Sequence, residues 1–202
     1  TGRRTAIKVG SILSVSFVMT QLPFHAAMVV FTMVLFVATL ALNEWLFSGL
    51  EFVKGINWIY LPAGVRLLST LLFGASGALG LLLVSWLVSF VYFFPNDPWR
   101  AFAGGILAAT GPFLVYRLAQ RMYGLQATLA NLSPRRLLWL ILAYSLASPG
   151  LHHIWFVLSS DPSNLLSGFS IMFIGDLTGT LIVIYAMKAV LWVHSTRKHL
   201  NH

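Results

Sequence analysis

The sequence predicts an all-α integral membrane protein with about six transmembrane helices, some of them short or broken at proline or glycine. Of the 202 residues, 58% are hydrophobic and only 9% are charged, whereas soluble domains carry about 25% charged residues. The mean hydropathy is +0.82. Because a helix needs roughly 20 apolar residues to cross the hydrocarbon core, we expect residues 1–202 to form a single polytopic membrane domain.

Six apolar segments follow one another along the chain: residues 7–22, 26–42, 62–94, 101–116, 137–158 and 166–192. Pro23 separates the first two segments, and a loop that carries Glu44 and Glu51 separates the second from the third. Pro95 and Pro98 bracket a turn between the third and fourth segments. The polar stretch SSDPSN separates the last two.

The first and third segments admit two interpretations. In one, residues 7–22 cross the membrane and residues 63–94 form one long, tilted helix. In the other, residues 7–22 lie along the interface and residues 63–94 form two short helices that meet between Gly74 and Gly80. The position of Glu51 distinguishes them, because it is cytoplasmic in the first interpretation and external in the second.

Positive charge predicts the orientation in the membrane. The formal net charge is +8, and arginine and lysine concentrate near both termini and in the loop over residues 117–136. The positive-inside rule therefore places both termini and this loop in the cytoplasm of a bacterial inner membrane. We expect these residues to contact anionic lipids of the bilayer. They form no cluster suited to a groove, so nucleic acid is not an expected partner.

The sequence contains no pattern that is typical of an enzyme. It has no cysteine, no nucleophile elbow and no nucleotide-binding loop. The adjacent residues His152 and His153 point about 100° apart on a helix, so they cannot bind one metal together. A haem would need one histidine from each of two helices, for example His25 with His152. We therefore expect no catalysis, no cofactor and no metal.

Two ionisable residues, Arg66 and Asp176, lie inside apolar segments. A charge at the centre of a transmembrane helix costs roughly 2.5 to 3.5 kcal/mol on insertion scales, so both side chains need a specific environment. Either they form an ion pair that joins two helices, or they belong to a polar pocket for a ligand or a proton. In both cases we expect an ionised Asp176 to face Arg66.

Proline and glycine beside these residues suggest breaks in two helices. Pro62, followed by Gly64, suits the first turn of a helix that begins within the membrane. Gly175 permits a break before Asp176, whose carboxylate would then cap the freed N–H groups. Such breaks are tolerated only where the backbone is buried in protein or lines a cavity. Together they predict one internal polar site.

Two stretches, WIYLPAGVRLLSTLLFGASGALG and the later GDLTGTLIVIY, resemble the membrane-associated sensor domain of bacterial signalling proteins. The matching residues are Trp58, Pro62, Gly64, Gly74, Gly80, Gly175, Asp176 and Gly179. The resemblance implies an input module with a short helix, a glycine-rich helix break, and a G-D-x-x-G element that opens the closing helix. That module has eight helices and is normally fused to a cyclase, phosphodiesterase or kinase. This chain is shorter and no output domain follows His202, so we expect it to act on a separate partner.

The leading functional hypothesis is a non-enzymatic sensory or ligand-binding module that acts through a partner protein in the membrane or cytoplasm. Two alternatives remain open. One is the substrate-binding membrane component of a small-solute, vitamin-type uptake transporter, and the other is an accessory structural subunit of a larger membrane complex. The candidate pocket residues are Asp176, Arg66, Trp58, Pro62, Gly64, Gly175 and Gly179.

Overall fold

The structure, a computed structural model, describes residues 2–126, 128–129, 131–159 and 165–200, with side chains within these ranges from Gln21 to Val193 and at Thr196. This part of the chain contains six α-helices and one short antiparallel β-hairpin. In chain order, the elements are α1 (Gly2–Phe47), β1 (Glu51–Val53), β2 (Ile56–Asn57), α2 (Pro62–Phe73), α3 (Ala75–Val88), α4 (Pro98–Tyr123), α5 (Pro134–Leu158) and α6 (Leu165–Leu200).

Within the described residues, five helical regions are long and apolar enough to cross a membrane, which confirms the predicted all-α, multi-pass membrane fold. They are Gln21–Leu50, Ala75–Phe93, Pro98–Tyr123, Pro134–Leu158 and Leu165–Val193. The helix α2 differs, because its 12 residues span only about 18 Å at 1.5 Å per residue. It therefore covers about half of a hydrocarbon core that is roughly 30 Å thick.

The predicted separation of residues 7–22 from residues 26–42 is wrong. Both segments belong to the continuous helix α1, with Pro23 inside it. Residues 7–22 are thus neither a separate span nor a separate interfacial helix. A proline inside a helix removes one backbone hydrogen bond and crowds the preceding turn, and transmembrane helices tolerate such defects when neighbouring groups compensate.

The long apolar segment over residues 62–94 folds as two helices, as the second interpretation expects. Gly74 separates α2 from α3 with φ +56° and ψ −125°, a conformation that side-chain-bearing residues rarely adopt. The two helices then run back along each other, and Gly77 of α3 packs directly on the backbone carbonyl of Ser69 in α2. A Cβ at Gly74 would also lie only 2.7 Å from the Tyr116 hydroxyl.

Helices α4 and α5 begin at capped turns. The Asp97 carboxylate accepts a hydrogen bond from the Arg100 N–H (3.0 Å), and the Ser133 hydroxyl accepts one from the Arg136 N–H (3.4 Å). Both capping residues directly precede a proline in the first helical turn, a favoured arrangement. The predicted proline-flanked turn between the third and fourth apolar segments is confirmed, whereas most of SSDPSN lies outside the described residues.

The helices run between two opposite ends of the bundle. At one end, here called the Gln126 end, His25, Gly74 and Gln126 line the same depression. At the opposite, Asn96 end, the β-hairpin lies beside the turn between α3 and α4 and beside the last turns of α5. The chain returns from the Asn96 end after α1 through residues 48–61 and the short α2. This second crossing is therefore only partly helical.

The continuity of α1 predicts which residues are accessible from the same side of the membrane. Because the sequence has no cysteine, Gln21→Cys, Asn96→Cys and Gln126→Cys each introduce one thiol at an exposed position. In sealed vesicles, a membrane-impermeant thiol reagent should label the Gln21→Cys and Gln126→Cys proteins from one side and the Asn96→Cys protein from the other. Labelling of positions 21 and 96 from the same side would contradict the fold and restore a separate span before Pro23.

Candidate ligand-binding cavity

A non-helical segment, residues 58–61, lies against the middle of α6. Two glycines make this close approach sterically feasible, because a Cβ at Gly175 or Gly179 would collide with the backbone carbonyl of Asn57 or Tyr60, respectively. Gly175 is about ten residues from the start of α6, or about 15 Å along the helix. The non-helical backbone therefore lies well inside the membrane-spanning region.

Three backbone donors of this segment have well-defined partners, and the first, the Trp58 N–H, donates to the Leu50 carbonyl at 3.0 Å. The Tyr60 N–H donates to the carbonyl of Gly175 (3.1 Å), and the Leu61 N–H donates to the side-chain carbonyl of Asn43 on α1 (2.8 Å). An unpaired N–H group would cost several kcal/mol in a hydrocarbon environment. Asn43 and the Gly175 carbonyl thus allow α2 to begin at membrane depth, with Pro62 in its first turn.

A cavity of about 70 Å³ lies beside this segment and is lined by residues from all six helices. The polar and charged side chains around it are those of Lys54, Asn57, Tyr60, Arg66, Ser85, Ser89, Arg100, His152 and Asp176. Aromatic side chains complete the walls: Phe36, Phe93, Phe94, Trp155 and Phe156. The cavity therefore combines converging polar groups with a wall of apolar rings.

Arg66 and Asp176 both line the cavity and are only 7% and 1% exposed, respectively. The predicted direct ion pair between them is not formed. Arg66 instead donates from Nη2 to the Tyr60 hydroxyl (3.3 Å), and its guanidinium lies 5.3 Å and 5.1 Å from the ring centres of Phe36 and Tyr60. Asp176 lies near the Ser148 hydroxyl and interacts with the Arg66 charge at longer range. The two residues therefore line one cavity without a direct ion pair, and its use as a ligand pocket stays a prediction.

Several buried polar atoms around the cavity have no hydrogen-bond partner in the described part of the chain. They include Asp176 Oδ2, Arg66 Nε, Ser85 Oγ and Asn57 Nδ2. A buried polar group without a partner costs about 1 to 3 kcal/mol, so these atoms are complementary to a polar solute in the cavity. The apolar depression lined by Ile154 and Leu166 contains none of these atoms.

A local distortion of α3 shapes one wall. Its helix continues into a π-helical turn over Ser89–Phe93, in which the Phe94 N–H donates to the Ser89 carbonyl at 2.8 Å. Such turns occur frequently at functional sites. Ser89 is buried and lines the cavity.

The histidines are separated rather than clustered. His152 lines the cavity, and its Nδ1 donates to the Ser148 carbonyl (2.8 Å). His153 lines a different pocket beside the hairpin, and His25 contacts Ser76 at the Gln126 end (2.8 Å). A haem held by His25 and either of the other two is therefore incompatible with this geometry. Within the described ranges, no three His, Asp or Glu residues are grouped closely enough to hold a metal.

The remaining predicted pocket residues position the backbone instead of lining the cavity. Gly64 packs against the Val183 side chain of α6, and the two glycines of α6 pack against the non-helical segment. Trp58 is 43% exposed, and its carbonyl accepts a hydrogen bond from the Thr178 hydroxyl (3.3 Å). Small residues that permit close backbone contact are typical of helix packing in membranes.

The predicted break at Gly175 is wrong. Helix α6 runs without interruption from Leu165 to Leu200, so Asp176 does not cap a helix and the G-D-x-x-G element does not open one. The physical reason is the four-residue spacing of Gly175 and Gly179, which places both on one face of a continuous helix. Because these two glycines have no side chains, the backbone of residues 57–61 can lie against α6. Neither glycine interrupts the helix.

Sequence reasoning missed two residues that support the site. Asn43 holds the start of α2, and Tyr60 holds Arg66. Asn43 directly precedes Glu44, so the two looked like the polar end of an apolar segment. No local pattern distinguishes a buried asparagine from one in a loop, because its partner lies 18 residues away.

The β-hairpin was also missed, although Lys54 and Gly55 between short apolar runs are a turn signal. Gly55 has φ +84°, which favours glycine. Its N–H donates to the Glu51 carboxylate at 2.9 Å. The hairpin brings Lys54 to the wall of the cavity.

The close contact between α6 and residues 58–61 can be tested with matched glycine variants. Gly179→Ala should lower the free energy of unfolding by about 1 to 3 kcal/mol, because the new methyl group has no space. Gly150→Ala on α5 is the control, since no described atom lies within 4 Å of its Cβ position and alanine favours helix by up to about 1 kcal/mol. Thermal unfolding of the detergent-solubilised protein measures both. Equal effects would contradict the close contact.

No family model matches this chain, and no curated protein or solved structure is detectably similar to it.

Proposed function

We propose that the protein is a non-enzymatic sensory module that binds a small polar ligand in this cavity and passes the bound state to a partner protein. The observation that carries the proposal is the buried pair of charged residues, Arg66 and Asp176, around a cavity at the non-helical part of a membrane crossing. Ionisable groups inside membranes generally mark ligand or ion sites. Irregular backbone at this depth is likewise tolerated beside a cavity.

Transmission to a partner is supported by the length of α6. Asp176 lies on this helix, which continues for about 24 residues, or about 36 Å, to Leu200. A ligand that contacts Asp176 therefore acts directly on a helix that leads away from the cavity. The resemblance to bacterial sensor domains is a further reason for this proposal, although the G-D-x-x-G element does not open a helix here.

The charge distribution supports an orientation in a bacterial inner membrane. Four arginines lie at or near the Gln126 end: Arg117, Arg121, Arg135 and Arg136. By the positive-inside rule, this end and both termini are cytoplasmic, in contact with anionic lipids. The cavity is bordered by Lys54 and Arg100 near the opposite end. The ligand therefore comes from outside the cytoplasm.

One observation also favours the second candidate, the substrate-binding component of a small-solute transporter. Transporters commonly place their substrate site near the membrane centre, where a helix is interrupted, and α2 begins at such a place. The identity of the partner protein distinguishes the two proposed functions. Stable co-purification with an ATPase pair supports transport, whereas a signalling enzyme supports sensing. An accessory structural subunit would bind no ligand in the cavity.

A cysteine reporter tests ligand binding directly. Ser89→Cys places a thiol in the cavity, and Ser167→Cys places one at an exposed position of α6 near the same end. In nanodiscs, the low-molecular-mass fraction of growth medium or cell extract should slow the modification of the thiol at position 89 severalfold, because a bound solute excludes the reagent. Modification at position 167 should not change.

Two results would contradict the proposal. One is the failure of every such fraction to protect the thiol of the Ser89→Cys protein. The other is a thiol at position 89 that never reacts while the one at position 167 does, because the cavity would then be closed to small solutes.

A further inference from the structure

The buried guanidinium of Arg66 favours a ligand that carries a negatively charged group. Arg66 lines the cavity and is only 7% exposed, so its positive charge is largely removed from solvent. Charges interact more strongly in a low-dielectric interior than in water. A negatively charged group on a ligand is therefore stabilised beside the Arg66 guanidinium, whereas a metal cation there would be repelled.

Arg66 presents a fixed donor to such a group. Its guanidinium lies 5.3 Å and 5.1 Å from the ring centres of Phe36 and Tyr60, and the hydrogen bond to the Tyr60 hydroxyl involves Nη2. Nε is buried and has no partner among the residues that the structure describes. A planar guanidinium with an unpaired donor matches the oxygens of a carboxylate.

Asp176 adds a second requirement. Its Oδ2 is buried and has no hydrogen-bond partner in the described ranges, so a ligand that carried only a carboxylate would leave this atom unpaired. A hydroxyl or ammonium group on the ligand would donate to it. Because Arg66 and Asp176 line the same cavity, a ligand that contacts both carries its donor close to its carboxylate.

We propose that the ligand is a compact amino or hydroxy acid whose carboxylate binds Arg66 and whose adjacent ammonium or hydroxyl group donates to Asp176. This inference rests on the proposed function, because it names the chemical class of the ligand for the same cavity.

Five small probes test the class in the Ser89→Cys protein: glycine, glycolate, acetate, ethanolamine and inorganic phosphate. Glycine and glycolate should protect the introduced thiol at concentrations about tenfold lower than acetate, since they make one more charge-assisted hydrogen bond. Ethanolamine lacks the carboxylate and should not protect. The Ser167→Cys protein again serves as the control for reagent reactivity.

Substitutions of Arg66 and Asp176 test which residue contacts each group of the ligand. Arg66→Met in the Ser89→Cys background should abolish protection by all three carboxylates. Asp176→Asn should remove the advantage of glycine over acetate, because the interaction with the ammonium charge is lost and acetate no longer faces a like charge. If Arg66→Met does not fold, Arg66→Lys keeps the charge without the planar fork and should weaken protection by every carboxylate.

Each contrary result has a distinct meaning. Equal protection by acetate and glycine, or better protection by ethanolamine or phosphate, would overturn the proposed ligand class. Protection by a medium fraction in the absence of any effect of the carboxylates would also overturn the class, but it would leave the proposed function standing. If neither probes nor fractions protect the thiol at position 89, both proposals fail.

Discussion

The rest of the structure depends on the close contact between α6 and the non-helical segment that precedes α2. Gly175 and Gly179 allow two backbone carbonyls to lie against the helix, and the segment donates a backbone hydrogen bond to α6 in return. Larger side chains at either position would displace this segment from α6. The contact therefore determines where α2 begins, and through α2 it places Arg66 beside the same cavity as Asp176.

Burial within the bundle, rather than exposure to lipid, makes these polar groups tolerable. Residues 62–71 of α2 are all buried, including Arg66, because the long helices enclose the short one. Large apolar side chains such as Val91, Tyr185 and Val190 are more than half exposed, and a bilayer solvates such a surface favourably. The interior therefore combines an apolar core with a few converging polar groups, and the surface is also apolar.

The sequence predicts the fold class more reliably than it predicts where each helix begins and ends. Low charge and long apolar segments suffice to predict membrane-spanning helices. Proline and glycine both commonly break helices, yet only Gly74 ends one, whereas Pro23 lies inside α1. Gly74 adopts a positive φ, which changes the direction of the chain between α2 and α3. The free-energy cost of a charged group in lipid is enough to predict that Arg66 and Asp176 lie near each other. It does not predict the cavity that both residues line. The cavity depends on Asn43 and the glycine contacts, which are tertiary features.

The same geometry offers a route from the cavity to the partner in the proposed function. Arg66 belongs to α2 and Asp176 to α6, and the two helices pack against each other through Gly64 and Val183. A ligand that bridges the two charged side chains binds most tightly to one relative position of the two helices. The ligand can shift the equilibrium between two positions of α2 and α6 only if it binds one position more tightly than the other. The segment before α2 donates one hydrogen bond to Asn43 of α1 and one to the Gly175 carbonyl of α6, and these bonds hold the start of α2 in place. In the proposed function, we therefore expect a bound acid to favour one position of the rest of α2 relative to α6.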